Sequence, residues 1–103
     1  MTRMTQPPEV TDNPAESRLE IRIGDELAQL TYRLRAGRLV LMHTGVPAEL
    51  AGHGLAGVLT QAAVAKAAAE DLTIVPLCPF ARSWLERHPD AAAGLNLDWG
   101  AAG

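Results

Sequence analysis

The sequence predicts a mixed α/β domain of the α+β class, in which an antiparallel meander leads into a parallel strand pair, with helices on the faces of the sheet. The first observation is the alternation of apolar and polar residues across residues 17–35, which is typical of half-buried strands. The second is a pair of largely apolar runs at residues 39–42 and 72–77, typical of buried strands. The third is the alanine-rich stretch 55–71 between these runs, whose composition favours a helix.

Turns separate the first three predicted strands. Apolar side chains recur at every second position in two sets, Leu19, Ile21 and Ile23 and then Leu30, Tyr32 and Leu34. Gly24 and Asp25 form the predicted turn between these sets, and Ala36 and Gly37 form the next turn. Residues 39–42 are apolar at every position, so we expect a central strand that is covered on both sides.

The stretch 55–71 predicts one helix that connects two buried strands. One helical face carries small and apolar side chains that allow a close approach to a sheet, namely Ala56, Leu59, Ala63 and Ala67. Lys66 falls near the same face. A helix between two buried strands predicts a right-handed crossover and parallel pairing.

The two ends of the sequence carry weaker patterns. Residues 79–87 predict a short helix with Pro79 at its first position, which tolerates proline. Alternation at Leu95, Leu97 and Trp99 predicts a final edge strand. Residues 1–16 hold three prolines and little apolar bulk, so we expect a disordered tail there and a single domain over residues 17–103.

Charge and composition exclude several classes of protein. The 103 residues carry 9 basic and 12 acidic side chains and a net charge of −3, which argues against a nucleic-acid binder with a basic surface. One cysteine excludes a disulfide framework, and the three histidines lack close ligand spacing, so we expect no metal. The N-terminus lacks the apolar core of a signal peptide, and no apolar run is long enough to span a membrane. We therefore expect a cytoplasmic protein that binds neither membranes nor nucleic acid.

A loop with two glycines joins the third predicted strand to the helix. It reads Gly52-His53-Gly54-Leu55-Ala56. Glycines let the backbone approach a ligand closely and adopt positive φ angles. The first N–H groups of a helix have no intrahelical partner and lie at the positive end of its dipole, so the loop can hold a pyrophosphate. The same pattern alone fits an ordinary turn at a helix start, and both interpretations stay open on these residues.

Further runs carry a resemblance to a known family. They are His43-Thr44-Gly45-Val46-Pro47, then Leu50-Ala51 before the glycine loop, then Val75-Pro76-Leu77-Cys78-Pro79-Phe80 and Arg87-His88-Pro89. At these spacings the chain resembles, over about residues 17–98, the minimal single-domain YjdJ-type branch of the GNAT superfamily of N-acetyltransferases. The resemblance implies a GNAT-like mixed sheet with a splayed pair of parallel strands. It also implies acetyl-CoA (coenzyme A) as cofactor and direct acetyl transfer to a primary amine of a small molecule or protein.

The resemblance implies a set of cofactor contacts as well. Pantetheine would lie in the gap between the splayed strands, and the pyrophosphate would lie on the glycine loop. The residues implied to bind the cofactor are Thr44, Val46, Gly52, His53, Gly54, Leu55, Ala56, Cys78 and Pro79. Pro76 fits this arrangement, because a proline removes a ladder donor where the strands should cease to pair.

His43 and Cys78 are the candidate catalytic residues. An imidazole suits proton transfer at neutral pH, although a histidine at a strand end also suits a structural role. For Cys78 three interpretations stay open: a small buried hydrophobe, a proton donor or wall of the thiol pocket, and an acyl-accepting nucleophile.

Two positions depart from the family pattern. Members often carry a glutamate where this chain has Gly45, and an acidic residue where it has Ala51. A possible general base or amine anchor is therefore missing. The alternative function is a CoA-binding module with little or no turnover that acts through a partner protein. We expect a monomer or weak dimer and an amine acceptor that the sequence does not identify.

Overall fold

Short connections join the first four strands in this computed structural model, which describes residues 9–99, and helices join the later strands. Within those residues the strands form one six-stranded sheet in sequence order. They are β1 (Thr11–Asn13), β2 (Arg18–Ile23), β3 (Glu26–Arg35), β4 (Arg38–Gly45), β5 (Thr73–Pro76) and β6 (Asn96–Leu97). The helices are α1 (Leu55–Glu70), α2 (Pro79–Arg87) and α3 (Pro89–Ala92), with 3₁₀ turns at Pro14–Glu16 and Ala48–Leu50.

The pairing pattern confirms the predicted mixed sheet. Strands β1 to β4 pair antiparallel, and β4, β5 and β6 pair parallel. The predicted turns lie where expected, and Ala36 and Gly37 both have positive φ, 50° and 78°. Such a turn matches the twist of the strands on either side of it. Helix α2 has the predicted bounds, and α1 ends one residue before the predicted end.

The hydrophobic core lies on one face of the sheet, which we call the helix face. The buried apolar residues that the strands contribute are Leu19, Ile21, Ala28, Leu30, Tyr32, Leu39, Leu41 and Ile74. They alternate with residues that point the other way, and α1 adds Leu55, Leu59, Ala63 and Ala67 to the same core. Helix α2 packs beside α1, since Gly57 of α1 lies against the Trp84 ring.

The opposite side of the sheet, which we call the open face, corrects one prediction. The open face includes Thr31, Arg33, Val40 and His43, as the strand register shows, and Met42, which lines a groove with Thr31 and Arg33. Strand β4 is central in the sheet, as predicted, but it is covered on only one side. Val40 is half-buried and Met42 is 37% exposed. The apolar run 39–42 therefore identified a central strand correctly, but it did not mean that both faces of that strand are covered.

The predicted tail is also corrected, because residues 11–16 form β1 and a 3₁₀ turn. Polar contacts hold this segment on the helix face. The Asp12 carboxylate accepts hydrogen bonds from the Tyr32 hydroxyl at 2.6 Å and from Lys66 Nζ at 2.7 Å. Lys66 also reaches Glu70 at 3.0 Å. The prediction considered apolar burial alone and so missed this anchor, while residues 1–8 of the predicted tail lie outside the described residues.

These contacts shift the pKa values of the groups involved. Burial, together with the hydrogen bond to Asp12, raises the pKa of Tyr32 to about 12. Burial alone would raise the pKa of Asp12, but the hydrogen bonds from Lys66 and Tyr32 outweigh it and lower that pKa. The hydrogen bond to Asp12 raises the pKa of Lys66. At neutral pH Asp12 is therefore a carboxylate, Lys66 an ammonium and Tyr32 a neutral phenol.

Candidate functional site

The parallel ladder between β4 and β5 ends before β4 does. Its last pair is Leu41 and Pro76, whereas β4 continues through residues 42–45. The N–H groups of Leu77 and Cys78 both donate to the Leu41 carbonyl, at 3.1 and 2.8 Å, so the chain after β5 turns there instead of following β4. Among the described residues, one backbone edge of residues 42–45 therefore has no partner strand. This is where the two strands were predicted to separate.

A β-bulge in β4 determines which face of the sheet His43 and Thr44 each occupy. The pairing with β3 steps from Leu41 to His43 and leaves Met42 without a partner. Simple alternation from Leu41 would put His43 on the helix face. The extra residue instead puts His43 opposite Thr31 on the open face and returns Thr44 to the helix face. The side chains of His43 and Thr44 therefore lie on opposite faces of the sheet.

Thr44 and Cys78 meet where the ladder ends. Thr44 Oγ1 lies 3.2 Å from Cys78 Sγ, and either group can be the donor. Cys78 is 2% exposed and precedes α2, whose first residue is Pro79. The structure therefore brings three predicted site residues together on the helix face, and it leaves His43 exposed on the other side.

Gly45 leaves space beside His43. A Cβ atom at this position would lie 3.9 Å from His43 Nε2 and 4.0 Å from Gln29 Cγ, which are ordinary contact distances. A glutamate here, which the resemblance implies for other members, would thus lie next to the imidazole. In this chain that neighbour is absent, and His43 has no carboxylate contact among the described residues.

The glycine loop has the conformation that glycine permits. Gly52 and Gly54 have φ angles of 86° and 72°, and a Cβ on either would meet no atom within 4 Å. These glycines are required by the backbone angle, and the space beside them is open. Gly54 is the N-cap of α1 and no side chain caps the helix. The N–H groups of Leu55 and Ala56 thus lie at an uncapped helix start beside open space, as an anion site requires.

A cleft of about 500 Å³ lies between the first turns of α1 and the end of α2, next to the glycine loop. It is lined by Gly54, Gly57, Gln61, Trp84, Arg87 and His88, among others. The Trp84 and His88 rings stack with centroids 4.0 Å apart, and His88 Nδ1 lies 2.7 Å from the Trp84 carbonyl oxygen. Sequence reasoning missed Gln61 and Trp84 as lining residues. The sequence feature that could have indicated this cleft is Gly57, because a glycine inside a helix often marks a close contact with a neighbouring side chain.

The remaining predicted site residues, Val46 and His53, differ in exposure. Val46 is half-buried against the core, and His53 is exposed on the loop. In residues 9–99 no three His, Cys, Asp or Glu side chains are grouped so that they could hold a metal ion. None of the helices in that range is long and apolar enough to cross a bilayer.

A sequence profile of the GCN5-related N-acetyl-transferase family matches residues 18–94, about three quarters of the 103-residue chain. The match includes β2 to β5, the glycine loop and both residues of the Thr44–Cys78 pair. The chain therefore belongs to the GCN5-related N-acetyltransferase (GNAT) family. This confirms the predicted superfamily, and assignment to the YjdJ-type branch stays a prediction.

Proposed function

We propose that this member of the GCN5-related N-acetyltransferase family transfers the acetyl group of acetyl-CoA directly to a primary amine. Family membership supports acetyl transfer in general. The observation that carries the specific proposal is the early end of the parallel ladder at Leu41 and Pro76, beside the Thr44–Cys78 pair. It leaves free backbone on β4 and a thiol at the same point.

The residues present fit acetyl-CoA in two places. The free backbone edge of residues 42–45 offers amide and carbonyl groups that can pair with the amides of pantetheine. The uncapped N–H groups of Leu55 and Ala56, after Gly52 and Gly54, suit the pyrophosphate. When bound, acetyl-CoA supplies an acetyl thioester as the activated acyl group.

Two proton transfers fall to residues on opposite faces. His43, on the open face, accepts a proton from the acceptor amine as the new carbon–nitrogen bond forms. On the helix face the Cys78 thiol donates its proton to the departing sulfur as the carbon–sulfur bond breaks. The Thr44 hydroxyl, 3.2 Å from Cys78 Sγ, can then stabilise the cysteine thiolate until it is reprotonated. A covalent acetyl-cysteine is disfavoured over direct transfer, because Cys78 is 2% exposed and packed in the core, which leaves little room for an acetyl group on its sulfur.

The first experiment measures the melting temperature with acetyl-CoA and with pantetheine. We expect acetyl-CoA to raise it and pantetheine to do much less, since pantetheine lacks the phosphates that the glycine loop would bind. Equal effects of the two compounds would refute the role of the glycine loop. No shift with either would refute cofactor binding altogether.

The second experiment is a thiol-release assay over a panel of amines. We expect His43→Ala and Cys78→Ala each to lower kcat by about 100-fold or more, the usual range for a lost acid or base. Thr44→Val should lower kcat while acetyl-CoA affinity is kept. Thr73→Val on β5 is the matched control, because the Thr73 hydroxyl has no hydrogen bond among the described residues.

A CoA-binding module with little or no turnover is the second candidate function. Gly45 favours it, since no carboxylate contacts His43 at the position where the family often has one. Acetyl-CoA binding without turnover across the whole amine panel would establish this alternative. Turnover that depends on His43 would exclude it.

A further inference from the structure

We infer that the acceptor lies in a groove on the open face and carries a carboxylate that Arg33 and Arg35 bind. The inference rests on the proposed function, which places His43 beside the acceptor amine. The groove has a volume of about 630 Å³ and is lined by Glu16, Ser17, Met42 and residues 31–35 of β3. Two of its lining residues adjoin His43: Thr31 pairs with it across the strands, and Met42 precedes it in the chain.

The strand register fixes the spacing between the amine and its carboxylate. Arg33 and Arg35 alternate with Tyr32, whose ring is on the helix face, so both arginines belong to the open face. Thr31 pairs with His43. At a rise of about 3.3 Å per residue, Arg33 is about 7 Å and Arg35 about 13 Å from Thr31 along the strand. An acceptor with its amine at His43 therefore needs a spacer of roughly five or more carbon atoms to reach Arg33.

Both arginines are free to bind a ligand. Neither Arg33 nor Arg35 has an ion pair or side-chain hydrogen bond among the described residues. Arg18 and Arg22, on the same face, instead contact Glu20, at 2.6 and 3.8 Å. The groove thus offers unpaired guanidinium groups in a chain with a net charge of −3. A guanidinium binds a carboxylate through two parallel hydrogen bonds.

The other lining residues define the acceptor further. Glu16 also lines the groove, so with Arg33 and Arg35 the lining has a formal charge of +1 and matches a monoanion. A phosphate ester, with a charge of about −1.5 to −2 at neutral pH, matches less well. Met42 also lines the groove, is 37% exposed and provides an apolar surface for a methylene chain. The acceptor class is therefore a primary amine joined to a carboxylate by an alkyl spacer.

The test compares 6-aminohexanoate with hexylamine, which has a methyl group in place of the carboxylate. Binding to the full chain is followed by NMR titration of backbone amides. We expect 6-aminohexanoate to bind about tenfold more tightly and to shift the amides of Thr31, Arg33 and Met42. Arg33→Gln should remove most of this preference. Arg22→Gln, which removes the same charge elsewhere on the open face, should keep it.

Each other result has a defined meaning. Equal binding of the two amines, or equal weakening by Arg33→Gln and Arg22→Gln, would overturn the inference. A change in sedimentation mass with Arg33→Gln would also overturn it and would show that the groove is an interface between copies. If 6-aminohexanoate binds through Arg33 while acetyl-CoA leaves the melting temperature unchanged, the groove is supported and the proposed function is the part that fails.

Discussion

Replacing Lys66 with methionine tests the contact that holds β1 to α1. Methionine keeps much of the packing of the lysine stem and removes the ammonium group. That group lies 2.7 Å from Asp12 Oδ2 and 3.0 Å from Glu70 Oε2, and the Lys66 side chain is only 11% exposed. Among residues 9–99, the substitution therefore leaves the Tyr32 hydroxyl as the remaining side-chain partner of Asp12.

The expected loss of stability follows from how exposed the partners are. A hydrogen bond to a charged group contributes about 1.5–3 kcal/mol when it is buried. Asp12 is 35% exposed and Glu70 is 49% exposed, so solvent screens both pairs and the pair with Glu70 adds only about 0.5 kcal/mol. We expect Lys66→Met to lower the free energy of unfolding by about 1–2 kcal/mol. For a domain of this size the melting temperature should fall by about 4–15 °C.

The same loss should depend on pH in a defined direction. The pKa of Asp12 is lowered on folding, so its contribution is present above the ordinary value of 3.8 and is lost as pH falls through the lower folded value. The pKa of Lys66 is raised, so its contribution is present below the ordinary value of 10.5 and is lost only as pH rises through the higher folded value. The difference between wild type and Lys66→Met should thus be constant from about pH 5 to 9 and shrink below about pH 4.

Urea unfolding at neutral and acidic pH measures this difference. Asp12→Asn and the double variant complete a cycle, whose coupling free energy should be about 0.5–1.5 kcal/mol at neutral pH. The stabilising role of the Asp12–Lys66 pair would be refuted if Lys66→Met lowered the free energy of unfolding by less than about 0.3 kcal/mol, or by the same amount at neutral and acidic pH.

Three further predictions concern other parts of the molecule. The single tyrosine, Tyr32, should ionise at about pH 12 in the folded chain. Because this pKa is raised, the contribution of Tyr32 to stability is full below pH 10 and is lost as pH rises through 12. A midpoint near pH 10 in the tyrosinate absorbance would contradict the burial of the Tyr32 ring. Gly54→Ala should lower the free energy of unfolding, measured by urea denaturation, by about 1–2 kcal/mol, because the φ angle of Gly54 is 72°. Gly54→Asn should lower it less, since asparagine tolerates a positive φ better than alanine. Equal losses for the two variants would show that the backbone angle is not the cause. Gly57→Ala should be destabilising by about 1 kcal/mol, because its Cβ would lie 3.0 Å from Trp84 Nε1 and overpacking of about 1–3 kcal/mol outweighs a helix-propensity gain of about 1 kcal/mol. A more stable Gly57→Ala variant would show that Trp84 can move away despite its stacking on His88.

Much of the fold was predictable because periodicity reports burial directly. Alternation identified β2 and β3, and the apolar runs on either side of an alanine-rich stretch identified β4, α1 and β5. Pro79 marked the start of α2 correctly, since proline is tolerated at a first helical position. Strand β1 escaped prediction because Asp12 binds side chains far away in sequence, and such contacts leave no local pattern.

The candidate site was predictable only in part. The family resemblance associated His43, Thr44 and Cys78, and the structure puts Thr44 and Cys78 within 3.2 Å of each other. The opposite direction of His43 results from one unpaired residue, Met42, and alternation alone predicts the reverse. The arginine groove was equally hidden, because Arg33 and Arg35 appear in the sequence as ordinary solvent-facing strand positions.

The unpaired Met42 also gives this part of the chain an unequal tolerance of changes in length. Another residue at that position would keep the β4 register, and His43 and Thr44 would still point in their present directions. Deleting Met42 would remove the bulge and leave the pairs of His43 with Thr31 and of Thr44 with Leu30, so both side chains would keep their directions. One inserted residue would instead need a second bulge or would exchange the two directions. Among related chains, deletion of Met42 should therefore be more frequent than insertions within residues 42–44.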